Sequence, residues 1–367
     1  MFVKKILELC LSPDSGGLEL YMVRAALYLE NKTQVVSVIN ETGKLGSYYG
    51  ETSNVVRMRR PSFFSLFFSA KKLAKIIDAH AIDVVHMHWT KDLPLAVAAK
   101  QLSKRKPALV QTRNMTMTRF KSDFYHKWLY KNVDLMLSVT YQVKEQLEKF
   151  IPEQVRPKIE VLYMGAESPE LLDEKQKDAL HAAYGIPKKF TVGIVGRIEE
   201  GKKQYLVVEA AAKLLAKEYE LQVLIVGHAM SETYLQELQA EIAGMGLQKD
   251  VIFTGFTKEA QKLMQLCDCL VLATERETFG LVLIEAMACG ICVLGTNNAG
   301  PLEIIDDNET GLLFEKNSSE SMAQKIEMLL QDASFKEKLA EAGQKKAHEK
   351  FDAAKQFEKL YEIFENL

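Results

Sequence analysis

The chain is poor in the features that mark a membrane span, a secreted scaffold or a common nucleotide loop. No run of eighteen apolar residues occurs among its 367, so no membrane-spanning helix is expected. The opening Met1-Phe-Val-Lys-Lys-Ile-Leu-Glu-Leu-Cys10 has charge inside a strand pattern and does not read as a signal peptide. Five cysteines, an odd number without scaffold spacing, argue against a disulfide framework and suggest a reduced cytosolic setting. Cys267 and Cys269 lie where a helix gives way to an apolar strand, with Cys289 and Cys292 beyond. Small core residues account for them better than metal ligands do. Low-complexity tracts are absent, and no sequence repeat relates the two halves. No Asp-x-Asp pair follows a strand in a metal-binding context, and Asp306-Asp307 reads as turn chemistry before Gly311.

What is present is two domains' worth of soluble chain. Hydrophobic residues make up 47% and charged residues 26%, normal for a globular protein, and the length exceeds one ordinary core. Net charge is only −2, but residues 1–165 hold 25 Lys and Arg against 15 Asp and Glu, a surplus of 10 that leaves −12 for the rest. So uneven a split points the first half at something anionic, a membrane surface or a nucleic acid.

Short apolar strands read at Lys5–Cys10, Gln34–Ile39, Val55–Met58, Asp83–Met87, Ala108–Thr112 and Leu135–Val139, with helical patterns between them. The alternation breaks at Gly165–Leu172. It resumes with Phe190–Val195, Gln222–Val226, Val251–Thr254, Cys269–Leu272 and Ile291–Gly295. Alternation at this spacing means parallel sheets covered on both faces. The expected fold is therefore α/β, with two doubly wound, Rossmann-like domains facing across a cleft, at 1–165 and 166–352. The end, from about Ser319, is helical, with a break before Phe351.

Chemistry concentrates at strand ends. In Glu277-Thr-Phe-Gly-Leu-Val-Leu-Ile-Glu285, two carboxylates eight positions apart span a loop and a helix start. They lie a little over two turns from each other, so both can face one crevice and accept hydrogen bonds from sugar hydroxyls. Two acids that merely flank a helix, one favoured by its dipole, would have the same spacing. Gly196-Arg197-Ile-Glu-Glu-Gly201-Lys202 follows a strand and offers a forked cation and a point cation for a diphosphate, although basic residues near strand ends are common. Ser12-Pro-Asp-Ser-Gly16-Gly17-Leu-Glu19 permits close backbone approach to a phosphate or sugar, or is a plain turn. It is neither Gly-x-Gly-x-x-Gly nor a Walker loop. Asp83-Val-Val-His86-Met-His88-Trp89 puts His86 and His88 on one side of a strand, His88 nearer the cleft; each also fits a structural role.

Taken together these motifs resemble glycosyltransferase family 4, retaining enzymes of the GT-B fold that use nucleotide-sugar donors, and the resemblance covers nearly the whole chain. It implies that Arg197 and Lys202 hold the donor diphosphate and act on the leaving group. Glu285 would bind the ribose. Glu277 would contact the donor sugar, helped by amides around Thr278, Phe279, Gly280 and Leu281. Gly16 and Gly17 would lie against the diphosphate, and His88 near the reacting carbon. Gly255-Phe256 falls where the base is held, and the last helix, about 353–367, would cross back to the first domain. No cofactor is expected beyond the co-substrate, carried by UDP or GDP, and the two cations make a metal unnecessary. Two departures stand out: Arg113-Asn114 where many relatives carry His, and His228 after Gly227 where Asp is usual.

In Arg57-Met-Arg59-Arg60-Pro-Ser-Phe63-Phe64-Ser-Leu-Phe67-Phe68-Ser-Ala-Lys71-Lys72, four Phe are bracketed by cations, with Lys75 beyond. This reads as a surface that binds an anionic membrane or an acceptor, against the alternative of a buried helix face. No nucleic-acid motif accompanies the charge. The reading is a sugar transfer to a saccharide or lipid-linked saccharide in envelope polysaccharide or glycolipid synthesis. The enzyme would be cytoplasmic and peripheral on the inner membrane face. The alternatives are a nucleotide-sugar epimerase of the same fold and a sugar-binding protein without turnover.

Overall fold

Seven apolar runs in the first part of the chain pair into one parallel sheet: β1 (Ile6–Cys10), β2 (Val35–Asn40), β3 (Val55–Met58), β4 (Val84–Met87), β5 (Ala108–Arg113), β6 (Leu135–Ser138) and β7 (Lys158–Val161). The order is β3-β2-β1-β4-β5-β6-β7. The inner strands are buried along their whole length, save Ala108 at the start of β5, as parallel strands covered on both faces must be. A second parallel sheet contains β8 (Phe190–Val195), β9 (Leu221–Val226), β10 (Val251–Gly255), β11 (Cys269–Leu272), β12 (Cys292–Thr296) and β13 (Leu312–Phe314), in the order β10-β9-β8-β11-β12-β13. This computed structural model describes residues 3–367 apart from 15, 52 and 275.

The chain divides into two compact units. One runs to Met164 and includes Ala354–Leu367; the other is Gly165–Ala353. Each sheet has its own core, Leu9, Val36, Val85 and Leu109 in the first, Val192, Val223, Val271 and Leu294 in the second. All five cysteines are free and buried, and Gly193 leaves the room that the Cys267 sulfur fills. Among the described residues no helix is long and apolar enough to cross a membrane.

Four elements carry little sequence signal. β7 is a partly exposed edge strand, and β13 has three residues. Helix Phe124–Lys131 buries only Leu129 and Tyr130. Helix Glu174–Tyr184 buries nothing; its ends are set locally, by an Asp173–Gln176 capping box and by Gly185 at φ 63°. The helical end breaks twice rather than once, into Ser319–Gln331, Ala333–Lys350 and Ala353–Glu365. Asp332 caps the second piece through the Phe335 amide.

The last helix packs within the first unit. Phe357 lies 5.5 Å from Tyr21 and 5.6 Å from Tyr28, and Phe364 meets the edge of His86 at 5.1 Å. Tyr28 donates to Glu358 at 2.5 Å, and the Lys4 amide donates to Glu365 at 2.8 Å. Because Phe364 is fully buried, Phe364→Ala should destabilise the protein by about 3–5 kcal/mol, read as a lower urea midpoint. An unchanged midpoint would mean that this helix is not part of the first unit's core.

Candidate functional site

Doubly wound sheets bind ligands at the carboxyl ends of their strands, where the order reverses. In the second sheet that point lies between β8 and β11. The loop after β8 carries Gly196 at φ 145°, then Arg197 and a short 3-10 turn, Glu200–Lys202, before helix Gln204–Leu215. The Gln204 side-chain amide, through Nε2, donates to the Arg197 carbonyl at 2.9 Å and fixes the loop. The loop after β11 ends at Gly280, whose φ of 104° opens helix Leu281–Ala288. The two loops meet: Lys202 Nζ lies 3.2 Å from Glu277 Oε2. Arg197 Nη2 lies 3.0 Å from Glu199 Oε1 and is largely exposed. Both cations thus rest on partly exposed carboxylates. Such pairs contribute little, so an oxyanion brought to this surface would replace them at small cost.

The acidic loop is braced from behind. The Gly300 amide donates to the Glu277 carbonyl at 3.0 Å, and a Cβ at residue 300 would stand 2.3 Å from the Phe279 carbonyl oxygen. Phe279 is buried, its ring centre 6.0 Å from that of Phe351 in an edge-to-face arrangement. Thr278, Leu281 and Glu285 are partly exposed on the loop and helix. At the end of β10, Gly255 has φ 69° and Phe256 is exposed, its ring 5.8 Å from His228. Gly227, at φ 145°, sits so close to Gly196 that a Cβ would lie 1.9 Å from its carbonyl oxygen. The loops after β8, β9 and β11 therefore form one surface.

In the first sheet the order reverses between β1 and β4. After β1, the Gly16 amide donates to Glu19 at 2.9 Å. A Cβ at Gly17 would meet nothing within 4 Å, so the fold itself does not require glycine there. After β4, the His88 side chain turns inward, rather than onto the sheet end where the strand alternation alone would let it project. Its Nε2 lies 2.6 Å from Glu8, its ring meets the Tyr21 edge at 5.9 Å, and Nδ1 alone lacks a partner. His86 Nδ1 meets the same carboxylate at 3.0 Å, and its Nε2 meets Thr112 Oγ1 at 2.7 Å. Glu8, His86 and His88 are close enough to hold a cation, yet each is already held by the others.

Burial alone would raise the Glu8 carboxyl; the two imidazoles and their hydrogen bonds outweigh it and hold it at about 2. Burial, then His86, pushes the His88 imidazole down to about 4 against the pull of Glu8. His88 is therefore neutral near pH 7, and with Nε2–H donated to a carboxylate its Nδ1 is an acceptor. Asp92, after β4, accepts the Leu11 amide at 2.8 Å and ties the two loops together. Burial raises it to about 7, opposed by the Leu11 bond and Arg60.

The four Phe are not core. Phe63, Phe64, Phe67 and Phe68 are 88%, 90%, 61% and 73% exposed, while helix Leu66–Ala79 buries Ala70, Leu73, Ala74 and Ile77 instead. Arg59, Arg60, Lys71, Lys72 and Lys75 are exposed in the same stretch. Glu8 was announced by a lone charge in an apolar strand. Asp92 and Thr112 gave no such signal, because nothing in their neighbourhood marks a buried partner.

Two family profiles match the chain, "Glycosyl transferases group 1" over residues 176–346 and "Glycosyl transferase 4-like" over residues 8–140. N-acetyl-alpha-D-glucosaminyl L-malate synthase of Bacillus anthracis is 27% identical over 302 residues, covering 80% of this chain and 77% of its own. The capsular polysaccharide biosynthesis glycosyltransferase CapM of Staphylococcus aureus is 24% identical over 355 residues, covering 92% of each chain. A crystal structure of a glycosyltransferase from Rickettsia africae superposes with a TM-score of 0.90 at 24% identity, covering 99% of this chain and 98% of its own.

His88 and Asp92 give opposing pH effects. As pH falls from 6.5 toward 4, the unfolded chain takes a proton at His88 that the folded one refuses, which destabilises the fold. Asp92 does the reverse: between about 7 and 3.8 the folded form holds the extra proton, which stabilises the fold as pH falls. In Asp92→Asn the acid-side loss from His88 should therefore be unmasked, as urea midpoints that drop between pH 6.5 and 4 more steeply than in the parent. Parallel profiles would overturn these assignments.

Proposed function

The chain is a family 4-like glycosyltransferase of the GT-B fold, related to enzymes of cell-envelope polysaccharide synthesis, and on that premise we propose that it transfers a sugar, with retention, from a nucleoside diphosphate donor to a saccharide or lipid-linked saccharide. The observation that carries the donor assignment is the 3.2 Å contact of Lys202 with Glu277, which unites the cation motif and the acid motif at one strand-order reversal. Arg197 and Lys202 exchange Glu199 and Glu277 for the donor diphosphate and stabilise the charge that develops on it as the glycosyl bond breaks. Glu277, released from Lys202, accepts from the donor sugar. Glu285 accepts from the ribose, and Phe256 offers a ring to the base of UDP or GDP. The departing diphosphate takes the acceptor's proton on the same face of the sugar. Because two fixed cations supply the compensating charge, the reaction is expected to need no divalent metal. No observation favours the epimerase alternative, in which an exposed aromatic surface has no use.

The acceptor reading draws on that surface. Phe63, Phe64, Phe67 and Phe68 are exposed among Arg and Lys, which suits the interface of an anionic bilayer, where a lipid-linked saccharide would be presented.

Two outcomes test this function. Arg197→Ala and Lys202→Ala should each slow transfer about 100- to 1000-fold, the loss expected for one group stabilising a developing anion. The parent should be equally active in EDTA and in magnesium. Near-normal turnover of both variants, or a strict need for a divalent ion, would remove the clamp from the mechanism. On the membrane side, Phe64→Ser with Phe67→Ser should abolish cosedimentation with anionic vesicles while changing stability by no more than about 0.5 kcal/mol per site, since neither ring is core. Parent binding should weaken with salt. A parent that ignores such vesicles at low salt refutes the membrane surface.

A further inference from the structure

The last residue of β5 is a buried arginine with only neutral partners. Arg113 is 8% exposed. Its Nε donates to the Met115 carbonyl at 2.7 Å, Nη1 to Thr90 Oγ1 at 2.5 Å and Nη2 to the Thr116 carbonyl at 2.9 Å. A guanidinium has five N–H donors, so one on each Nη is left over. Among the described residues no Asp or Glu pairs with it, and burial pulls the guanidinium below its ordinary value. A buried charge without a counter-ion is costly, and where one is kept a missing anion is the physical explanation.

The neighbours repeat the pattern. Asn114 has both amide atoms buried and unpartnered, and so has Gln111, fully buried two residues back on β5. Native buried amides are nearly always bonded, so adjacent exceptions at the carboxyl end of a parallel strand mark a place where a ligand completes the bonding. More positive charge stands alongside. Arg60 lies 4.7 Å from the Trp89 ring and Lys91 5.0 Å from it, and Trp89 directly precedes the Thr90 that Arg113 holds. The nearest acid along this loop, Asp92, is committed to the Leu11 amide.

We propose that Arg113 and Asn114, with charge from Arg60 and Lys91, bind an anionic group of the acceptor, a phosphate or a carboxylate. Naming the ligand an acceptor rests on the glycosyltransferase reading, since the donor's cations stand on the other sheet; the anion site itself does not. The guanidinium grips two oxygens with its free N–H groups, and the Asn114 amide donates to a third position on the same group or its sugar. The acceptor is then chosen by charge, and a neutral saccharide leaves the buried donors unpaired.

The test is calorimetric titration of the full-length chain carrying Arg197→Ala and Lys202→Ala, which silences the donor cations, with inorganic phosphate and separately with succinate. At least one probe should bind at a single site, and adding Arg113→Gln should weaken it roughly 10- to 100-fold, the range of a charged hydrogen-bonded contact. Arg113→Lys should keep part of the affinity. Asn114→Ala, which leaves every Arg113 bond in place, should weaken binding without lowering the melting temperature. Preference for phosphate assigns a phosphorylated or diphosphate-linked acceptor, and preference for succinate assigns an acidic one. No binding of either probe, or equal binding in Arg113→Gln, Arg113→Lys and Asn114→Ala, overturns the site and makes Arg113 a loop brace. Nucleoside diphosphate binding to the parent is measured beside it: its loss would reject the donor assignment and leave this site standing.

Discussion

Parallel strands cannot be joined by tight turns, and that constraint governs both halves of this protein. Each strand must be followed by a crossover, and where successive crossovers leave toward opposite faces the strand ends part and expose backbone and loop. Between β8 and β11 the parting brings the loop of Arg197 and Lys202 against the loop of Glu277. Between β1 and β4 it brings the Gly16-Gly17 loop against that of His88 and Asp92. The chemistry is thus assigned by topology before any side chain is chosen. The residues found at these gaps are those whose charge or lack of a Cβ leaves room for an anionic or hydroxyl-bearing ligand.

The first unit shows how much polarity a buried sheet tolerates when it is satisfied. Glu8 is a carboxylate inside a fully buried strand, and it survives because two imidazoles close its hydrogen bonding, one of them held in turn by Thr112. The same network packs against the C-terminal helix through Phe364, so a polar cluster and an apolar clamp meet at His86. Arg113, two strands from β1 in the sheet, is closed only in part, with two N–H groups and its charge left unmatched. The contrast between a completed network and an open one, in the same layer of the same sheet, is the reason to treat one as architecture and the other as recognition.

Much of this was legible in the sequence. Alternating apolar strands and amphipathic helices announce two parallel sheets, because burial on both faces leaves no other pattern. The Arg197–Lys202 and Glu277–Glu285 motifs are local, contained in single strand–loop–helix passages, and so can be read without knowing the fold. Elements with little buried surface were not legible: helix Glu174–Tyr184 is defined by its caps alone, and β7 by its edge position. Partnerships across the sheet were equally silent. Nothing in the sequence pairs Glu8 with His88, 80 positions away, or turns that imidazole inward. The exposure of Phe67 and Phe68 follows from which face of helix Leu66–Ala79 packs inward, and Phe63 and Phe64 stand in the turn before it; a cluster of aromatic residues does not state that by itself.

The glycine contact between residues 196 and 227 has a consequence for divergence. With no space for a Cβ between them, the loops after β8 and β9 are registered to each other backbone to backbone, and neither can lengthen or shift without displacing the other. The segments that carry Arg197 and His228 must then be inherited as a block. Change in what this surface binds is channelled into side chains that stand clear of the contact, His228 and Phe256 foremost, and can proceed there by single substitutions while the loop lengths stay fixed.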